Sequence, residues 1–453
     1  MKFIVTLSCL IGFVVNSIAQ TFSLSVTTKG FSDSDIVYIK KYHGRDEITI
    51  DSIQGNRSTS TPLSSFGLYF IFYEKNASAE FIFSKENLKL EVSKNALKAG
   101  KITLTNSKEN SAYERFVNCY LLYDSAFYKH CNYRPNEFEP NFIAKVTQKS
   151  NSLSIIRKSF NDSIERISKQ YPNTFTTNIL CKATKLPTMN NNYDYYPAFL
   201  FRHFWDSIPL NDETILNHFL LNEQLKNYFR NFVPKNEDSL KVAIDIVQEK
   251  AKENAAVLSY VNSFLLRNFL KSNAEDLALY VNKNSNTEAC ELNLSEAEKK
   301  KFERLKSLSV GQNVPEILLP NIENNKTSLT KSVTANKATI LLFWSSHCGK
   351  CRVELPQIQA LYQKYKTQGL EVFAVNIDEN KFNWRDAVNE FKLDWTNVTD
   401  EGKIADSKVL EQFNIQHTPS LFLIAQNGKI FAKEIYDKAL EKNVQMLLSS
   451  SNK

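Results

Sequence analysis

The sequence predicts a multidomain protein with three regions of different fold class: an N-terminal β-sandwich-like domain, a central all-α domain and a C-terminal α/β domain. Its 453 residues exceed what one hydrophobic core usually organises. The apolar residues repeat with period two up to about residue 110, with a helical period up to about residue 307, and in alternating strand and helix patterns after that. These changes of period place the domains at 20–110, 111–307 and 308–453, behind a targeting segment at 1–19.

The first nineteen residues have the pattern of a cleavable export signal. Lys2 supplies the positive charge, residues 3–15 are apolar but too few to span a bilayer, and Ser17-Ile18-Ala19 forms a small-x-small cleavage site before Gln20. The alternative is an uncleaved membrane anchor. No later run reaches about eighteen apolar residues. We therefore expect no transmembrane segment after removal of the signal, and a location in the bacterial periplasm.

Residues 20–110 predict short β-strands. Phe22, Leu24 and Val26 alternate with polar residues, residues 68–73 form a continuous apolar and aromatic run, and glycines separate several of the segments. Short strands at this spacing are typical of a β-sandwich. The region contains no cluster of catalytic residue types, so we expect an accessory domain.

Residues 111–307 predict helices. Apolar residues recur at intervals of three and four from Tyr113 to Leu121, and a second such stripe runs from Leu240 to Ala251 and continues to Phe269. Asp212 and Ser295 have the pattern of helix starts, and Ser295 begins a capping box. This region is expected to be a second accessory domain, built from helices alone.

Residues 308–453 predict an α/β domain with a mixed sheet, because strands alternate with helices and a hairpin follows. The elements expected in chain order are a hairpin at 317–329, a strand at Thr339–Trp344, a helix from about 348 to 367, a strand at Leu370–Ile377, a helix at Trp384–Phe391, a short helix at Val409–Phe413, hairpin strands at Leu421–Ala425 and Ile430–Glu434, and a last helix at Lys438–Leu448.

The segment Cys348-Gly349-Lys350-Cys351 has the spacing of a redox-active dithiol and lies where a strand passes into a helix. Unpaired backbone N–H groups at a helix N-terminus favour a thiolate, and the charge of Lys350 adds to this effect. A thiol with the ordinary pKa of about 8.5 is only about 3% thiolate at pH 7, and lowering that pKa to about 7 makes it half thiolate. We expect Cys348 to be the nucleophile and Cys351 the thiol that resolves the mixed disulfide.

The segment from Phe343 to Pro356 resembles the active-site segment of thioredoxin-like proteins, most of all the exported TlpA/ResA branch of the AhpC/TSA-related proteins. Trp344 matches the tryptophan four residues before the first cysteine, and Pro356 the helix proline five residues after the second. Glu354 matches the acidic residue of that branch. The resemblance implies that Glu354 lies under the site and moves protons to and from Cys351. The alternative is an exposed helical glutamate that pairs with Lys350 or Arg352.

The dipeptide Thr418-Pro419 precedes a predicted strand in the position where the family has its cis-proline. The resemblance implies that Pro419 faces the cysteine pair and that the backbone of Thr418 pairs with the substrate chain. Many members of the family have tryptophan directly before the first cysteine, whereas this chain has His347, which leaves the redox potential open. The site expected from the sequence comprises catalytic Cys348, Cys351, Glu354 and Pro419, with Trp344, His347, Gly349, Lys350 and Thr418 in support.

The sequence therefore predicts an exported thiol–disulfide oxidoreductase that acts on protein disulfides, with a preference for reduction that follows from the resemblance. The only redox group expected is the Cys348–Cys351 disulfide, with no other cofactor and no metal. The expected partners are protein thiols and disulfides and a membrane or periplasmic electron donor. The net charge of +7 is dispersed over 56 basic and 49 acidic residues without a long basic block, so no nucleic-acid partner is expected.

Alternatives remain open at this point. Cys348, Cys351 and His417 together would suit Cu(I), because thiolate and imidazole are ligands that it favours. A non-catalytic binding protein on the same fold is the other alternative. The remaining cysteines of the mature chain form one or two structural disulfides or stay as buried thiols, and they are Cys119, Cys131, Cys181 and Cys290.

Overall fold

The computed structural model describes residues 22–44, 46–63, 65–131, 142–185, 187, 196–272, 274–283, 294–400 and 407–450. The predicted export signal, Cys290 and the side chain of Cys131 lie outside the described residues. Contacts divide the chain into two compact units, one of residues 1–266 and 284–293 and the other of residues 267–283 and 294–453. None of the helices formed by the described residues is long and apolar enough to cross a membrane.

The first unit begins with a β-sandwich, as the period-two pattern predicted. One sheet has the strand order β4-β1-β7-β8 and the other β3-β2-β5-β6. Alternate residues of both sheets, among them Leu24, Val26, Ile39 and Phe81, share one core. The strands are β1 (Phe22–Lys29), β2 (Ile36–His43), β3 (Asp46–Gln54), β4 (Ser58–Leu63), β5 (Gly67–Glu74), β6 (Ala77–Phe83), β7 (Leu88–Ser93) and β8 (Thr103–Leu104), with helix α1 (Lys94–Lys98) before β8.

The sandwich is followed by a helical region, which confirms the predicted change of fold class. Its elements are α2 (Lys108–Cys131), α3 (Phe142–Gln170), a π-helix (Thr176–Leu180), α4 (Cys181–Thr184), α5 (Tyr196–His203), a 3₁₀-helix (Glu213–Asn217), α6 (Leu220–Asn231), α7 (Glu237–Ala251), α8 (Ala255–Lys271), α9 (Glu275–Lys283) and α10 (Glu296–Ser307). The stripe expected to continue from Leu240 to Phe269 is instead two helices, because the Asn254 side chain accepts from the backbone N–H groups of Ala256 and Val257 and starts α8.

The two predicted helix starts have different outcomes. Ser295 has the complete capping box with Glu298 at the start of α10, as predicted. Asp212 does cap a helical segment, by accepting from the backbone N–H of Thr214, but the segment is a 3₁₀-helix rather than an α-helix.

The second unit contains a five-stranded mixed sheet with the strand order β13-β12-β11-β14-β15. Strands β11, β12 and β13 are parallel, and β14 is antiparallel to both β11 and β15. Its elements are β9 (Leu318–Pro320), β10 (Lys326–Ser328), α11 (Leu329–Ala335), β11 (Ala338–Trp344), α12 (Gly349–Tyr365), β12 (Leu370–Asn376), α13 (Lys381–Glu390), β13 (Thr396–Thr399), α14 (Lys408–Gln412), β14 (Ser420–Ala425), β15 (Ile430–Lys433) and α15 (Asp437–Ser450). This is the α/β arrangement that the sequence predicted, with α11 and β13 as additions.

Strand β11 is the centre of this unit, and every residue in it is buried. Its side chains alternate between two hydrophobic clusters, one on each face of the sheet. Leu342 and Trp344 lie in the cluster with α12 and α15, and Leu341 and Phe343 lie in the cluster with α11 and α14. A strand that is covered on both faces has a nearly continuous run of apolar residues. This run is why β11 was recognisable in the sequence.

The second unit also includes α9 and α10, whereas the sequence analysis placed both with the helical domain. Glu275 of α9 accepts from Lys433 Nζ at 3.1 Å and from Asn414 Nδ2 at 2.6 Å. Arg304 of α10 forms an ion pair of 2.6 Å with Glu411. The division by contacts therefore does not coincide with the boundary predicted between 307 and 308.

Candidate active site

The two cysteines of the Cys-x-x-Cys segment lie where β11 passes into α12. The backbone N–H of Cys348 donates to Ser345 O at 3.2 Å, which turns the chain after the strand. Cys348 is the N-cap of α12, and its Sγ accepts from the backbone N–H of Cys351 at 3.3 Å. Cys348 is half-buried, whereas Cys351 is fully buried in the first turn. Both are free thiols.

The two thiols have opposite pKa shifts. Burial raises the pKa of Cys348, but hydrogen bonds with the side chains of Cys351 and Thr418 and with the backbone of Cys351 and Lys350 outweigh it, and the net pKa is lowered. Burial raises the pKa of Cys351 to about 12, and the hydrogen bond with the Cys348 side chain adds to the rise. Cys348 is therefore the thiol that ionises more readily, and it is also the one nearer to solvent.

The Thr418–Pro419 segment lies directly against the first cysteine. The peptide bond between these residues is cis. The Cys348 thiol donates to Thr418 O at 3.2 Å. The sheet brings the segments together, because β14 follows Pro419 at once and its first residue, Ser420, pairs with Phe343 near the end of β11.

The residues around the dithiol differ in exposure. Trp344 is fully buried in the same hydrophobic cluster as Cys351. His347 is exposed, and its Nε2 lies 2.9 Å from Asn383 Nδ2 on α13. Gly349 is exposed as well. Trp344 therefore belongs to the core in which Cys351 is buried, whereas His347 and Gly349 lie at the protein surface.

Glu354 lies one helical turn past Cys351 and is half-buried. Lys350 and Arg352, the two cations expected as its alternative partners, make other contacts: Lys350 Nζ is 5.2 Å from the centroid of the Tyr436 ring, and Arg352 pairs with Glu390. Within the part of the chain that the structure describes, Glu354 has no ion pair or hydrogen bond. The structure therefore gives no support to the paired surface glutamate.

Nothing in the geometry favours the Cu(I) alternative. His417 is exposed, and its Nδ1 lies 3.3 Å from Pro419 O. Among the described residues, no group of three or more His, Cys, Asp or Glu side chains is arranged to hold a metal ion. Of the other cysteines, Cys119 and Cys181 are free thiols, and burial raises the pKa of Cys181 to about 12.

Comparison with known proteins assigns the second unit to a family. Residues 309–447 match the model of the Redoxin family. The thiol-disulfide oxidoreductase ResA of Geobacillus thermodenitrificans is 32% identical over 129 residues, which are 28% of this chain and 71% of that protein. The chain belongs to the ResA-like family of thiol–disulfide oxidoreductases. ResA of Bacillus cereus is 27% identical over 141 residues, which are 31% of this chain and 78% of that protein.

A solved thioredoxin domain of a thiol-disulfide oxidoreductase from Bacteroides vulgatus is also similar to this chain. It is 29% identical, covers 31% of this chain and 99% of that domain, and aligns with a TM-score of 0.29.

Sequence reasoning missed Asp378 of the ResA-like site. This carboxylate is buried and accepts from Ser345 Oγ at 2.5 Å, from the backbone N–H of Ser346 at 2.9 Å and from Asn376 Nδ2 at 3.0 Å. Ser345 and Ser346 belong to the turn that precedes Cys348, so Asp378 fixes that turn. Asp378 could have been found from its position two residues after β12. The carboxyl ends of neighbouring parallel strands lie at the same edge of a sheet, which places it near the end of β11.

Tyr436 was missed as well. It comes just before α15, and its hydroxyl donates to Pro419 O at 3.0 Å. No local motif marks it, since only the pairing of β14 and β15 brings the end of the sheet back to the cis-proline.

Proposed function

We propose that the protein is an exported thiol–disulfide oxidoreductase that reduces disulfides of other proteins through Cys348 and Cys351. The observation that carries this proposal is the asymmetry of the dithiol. Cys348 is half-exposed at a helix N-terminus with a lowered pKa, whereas Cys351 is fully buried with a pKa raised to about 12. Cys348 can therefore reach a disulfide of another protein. Cys351 is inaccessible to that protein and can attack only the mixed disulfide formed at Cys348.

The reaction proceeds in two exchanges. The Cys348 thiolate attacks one sulfur of a substrate disulfide, and the substrate's other sulfur leaves as a thiolate that takes up a proton. Cys351 then loses its proton and attacks Cys348 Sγ, which releases the second substrate sulfur. Two electrons have passed to the substrate, and the Cys348–Cys351 disulfide has formed. A dithiol donor, in the membrane or the periplasm, returns the enzyme to its reduced form by the reverse exchanges. The cysteine pair is the only redox group that this sequence of steps requires.

Glu354 and the cis-proline segment have separate roles in this proposal. Glu354 accepts the proton of Cys351 when the mixed disulfide is resolved and returns it when the disulfide is reduced. Its place one turn along α12 puts it on the same face as Cys351. The backbone of Thr418, next to Cys348 Sγ, pairs with the extended substrate chain, and Pro419 shapes that surface. Export to the periplasm rests on the sequence of residues 1–19.

Reduction of insulin by the full-length protein, with dithiothreitol as the donor, tests this proposal. Cys348→Ser is expected to abolish the reaction. Cys351→Ser is expected to accumulate a mixed disulfide through Cys348, which mass spectrometry of the trapped peptide identifies. Cys119→Ser is the matched control, because Cys119 is a free thiol outside the site, and it should keep wild-type activity. Insulin reduction by Cys348→Ser at the wild-type rate would refute the proposal.

A further inference from the structure

Tyr436 touches both of the segments that form the dithiol site. Its hydroxyl reaches the cis-proline segment by donating to Pro419 O at 3.0 Å. The face of its ring meets the start of α12, where Lys350 Nζ lies 5.2 Å from the ring centroid. These two contacts use different parts of one side chain, so the hydroxyl contact can be removed while the ring contact is kept.

The hydrogen bond from the Tyr436 hydroxyl fixes the Thr418–Pro419 segment, which lies next to Cys348 Sγ. Pro419 follows Thr418, whose carbonyl oxygen is 3.2 Å from Cys348 Sγ. Any polypeptide joined to Cys348 by a mixed disulfide must lie against this segment. The Tyr436 hydroxyl is also 3.1 Å from one oxygen of Glu434, and the other oxygen of Glu434 accepts from the backbone N–H of Leu421 at 3.1 Å. Tyr436 and Glu434 therefore bind the backbone on both sides of Ser420, the residue at which β14 begins.

The ring of Tyr436 contacts the Lys350 ammonium in the first turn of α12. Lys350 is exposed, and its long side chain has many rotamers available in solution. Among the residues that the structure describes, Lys350 makes no ion pair, so the aromatic ring supplies its ordering contact. Lys350 is two residues from Cys348, and a cation close to a thiol favours the thiolate.

We propose that Tyr436 is a positioning residue of this site: its hydroxyl fixes the Thr418–Pro419 segment for the protein substrate, and its ring holds the Lys350 ammonium at the start of α12, the helix that Cys348 caps. The inference rests on the proposed function, in which Cys348 attacks a protein disulfide. Burial raises the pKa of the Tyr436 hydroxyl, and the negative charges of Glu434, Glu354 and Cys351 add to that rise in pKa. The hydroxyl therefore stays protonated, and remains a donor, at physiological pH.

Two variants of the full-length protein separate the two contacts. Tyr436→Phe loses the hydroxyl and keeps the ring. The KM for insulin should rise about two- to tenfold, the range of one hydrogen bond. The pKa of Cys348, measured from the pH dependence of its alkylation, should rise by less than in the second variant, because only the support of the Thr418 side chain is weakened. Tyr436→Leu loses both contacts. Its Cys348 pKa should also rise by about half a pH unit, which corresponds to about 0.7 kcal/mol, within the range of exposed charge pairs.

Two controls make these results specific. Tyr365→Phe also removes a hydroxyl that is hydrogen-bonded, to Glu441 and Gln445. Tyr365 ends α12 about 21 Å from Cys351 along the helix. Tyr365→Phe should therefore change neither the KM for insulin nor the pKa of Cys348. In a Lys350→Met background, Tyr436→Leu and Tyr436→Phe should give the same Cys348 pKa, because the ring acts through Lys350.

A wild-type KM for Tyr436→Phe, or a wild-type Cys348 pKa for Tyr436→Leu, would overturn the inference. The assay distinguishes a wrong inference about Tyr436 from a wrong proposed function. If the wild-type protein does not reduce insulin, the proposed function is wrong. If it reduces insulin but the Tyr436 variants behave like Tyr365→Phe, the function stands and Tyr436 only packs.

Discussion

Replacement of Asp378 should destabilise the ResA-like domain by an amount that depends on which acceptors remain. Its two oxygens accept from three donors: Ser345 Oγ on one, and Ser346 N and Asn376 Nδ2 on the other. In Asp378→Asn, the amide oxygen can keep the latter two bonds, and the Ser345 hydroxyl can turn to accept from the amide NH₂. The loss is then the difference between charged and neutral hydrogen bonds, about 1–3 kcal/mol in the free energy of unfolding.

Asp378→Ala should cost more than Asp378→Asn. It leaves Ser346 N–H and Asn376 Nδ2 without their acceptor, and Asn376 is fully buried. Each buried donor that loses its partner costs about 1–3 kcal/mol, so the loss should reach about 2–6 kcal/mol. Asp386→Asn is the matched control, because Asp386 is an exposed carboxylate on α13. Its effect should stay within about 0.5 kcal/mol.

The contribution of Asp378 should also depend on pH. Burial raises the pKa of Asp378, but the hydrogen bonds from Ser345, Ser346 and Asn376 outweigh it, so the net pKa is lowered. A carboxyl whose folded-state pKa is below the unfolded value of about 3.9 stabilises the protein above that pH, and the stabilisation is lost as the pH falls through the folded-state pKa. The difference between wild type and Asp378→Asn should therefore be constant above about pH 5 and shrink below about pH 4.

Urea unfolding followed by tryptophan fluorescence measures these differences. Trp344, Trp384 and Trp395 lie in the ResA-like unit, out of 4 tryptophans in the chain, so the signal reports mainly on that unit. The reasoning would be refuted if Asp378→Ala unfolded at the same urea concentration as Asp386→Asn. It would also fail if the gap between wild type and Asp378→Asn stayed the same from pH 7 to pH 3.

Two other predictions concern the proton path and the extent of the folded unit. Glu354→Gln should leave the alkylation rate of Cys348 unchanged but slow the resolution of a preformed mixed disulfide and change its pH dependence; overlaying rate–pH profiles would exclude a proton relay. A fragment of residues 310–453 should be less stable in urea than one of residues 267–453, by at least about 2 kcal/mol. It lacks Leu308, which is buried in the core on one face of the sheet, and Glu275, which binds Lys433. Equal stabilities would contradict the division into units.

Local periodicity was enough to predict the sheet of the ResA-like domain, but not all of its strands. β11 is apolar except for Thr339 and is buried on both faces, so its sequence alone identifies it. β13 consists of Thr-Asn-Val-Thr and has no alternation to recognise; its pairing with β12 defines it as a strand. Tertiary context therefore overrides local propensity at the edge of the sheet.

The same distinction applies to the site. Cys348 and Cys351 were predictable because their spacing along one helical turn already fixes their relation. Asp378 and Tyr436 carry no such spacing. They reach the site from the end of β12 and from the chain after β15, so only the order of the strands brings them to the dithiol.

In the proposed reaction, we expect the second exchange to require a base, because burial raises the pKa of Cys351. At a pKa of about 12, only about one in 10⁵ of these thiols would be ionised at pH 7. We expect burial of Cys351 to slow both the premature resolution of a mixed disulfide and the resolution that releases the substrate. A base close to Cys351 removes this conflict, since it accepts the proton only as the sulfur attacks. Glu354 is the base that we propose for this step, because it is half-buried, lies one turn past Cys351 and has no ion pair among the described residues.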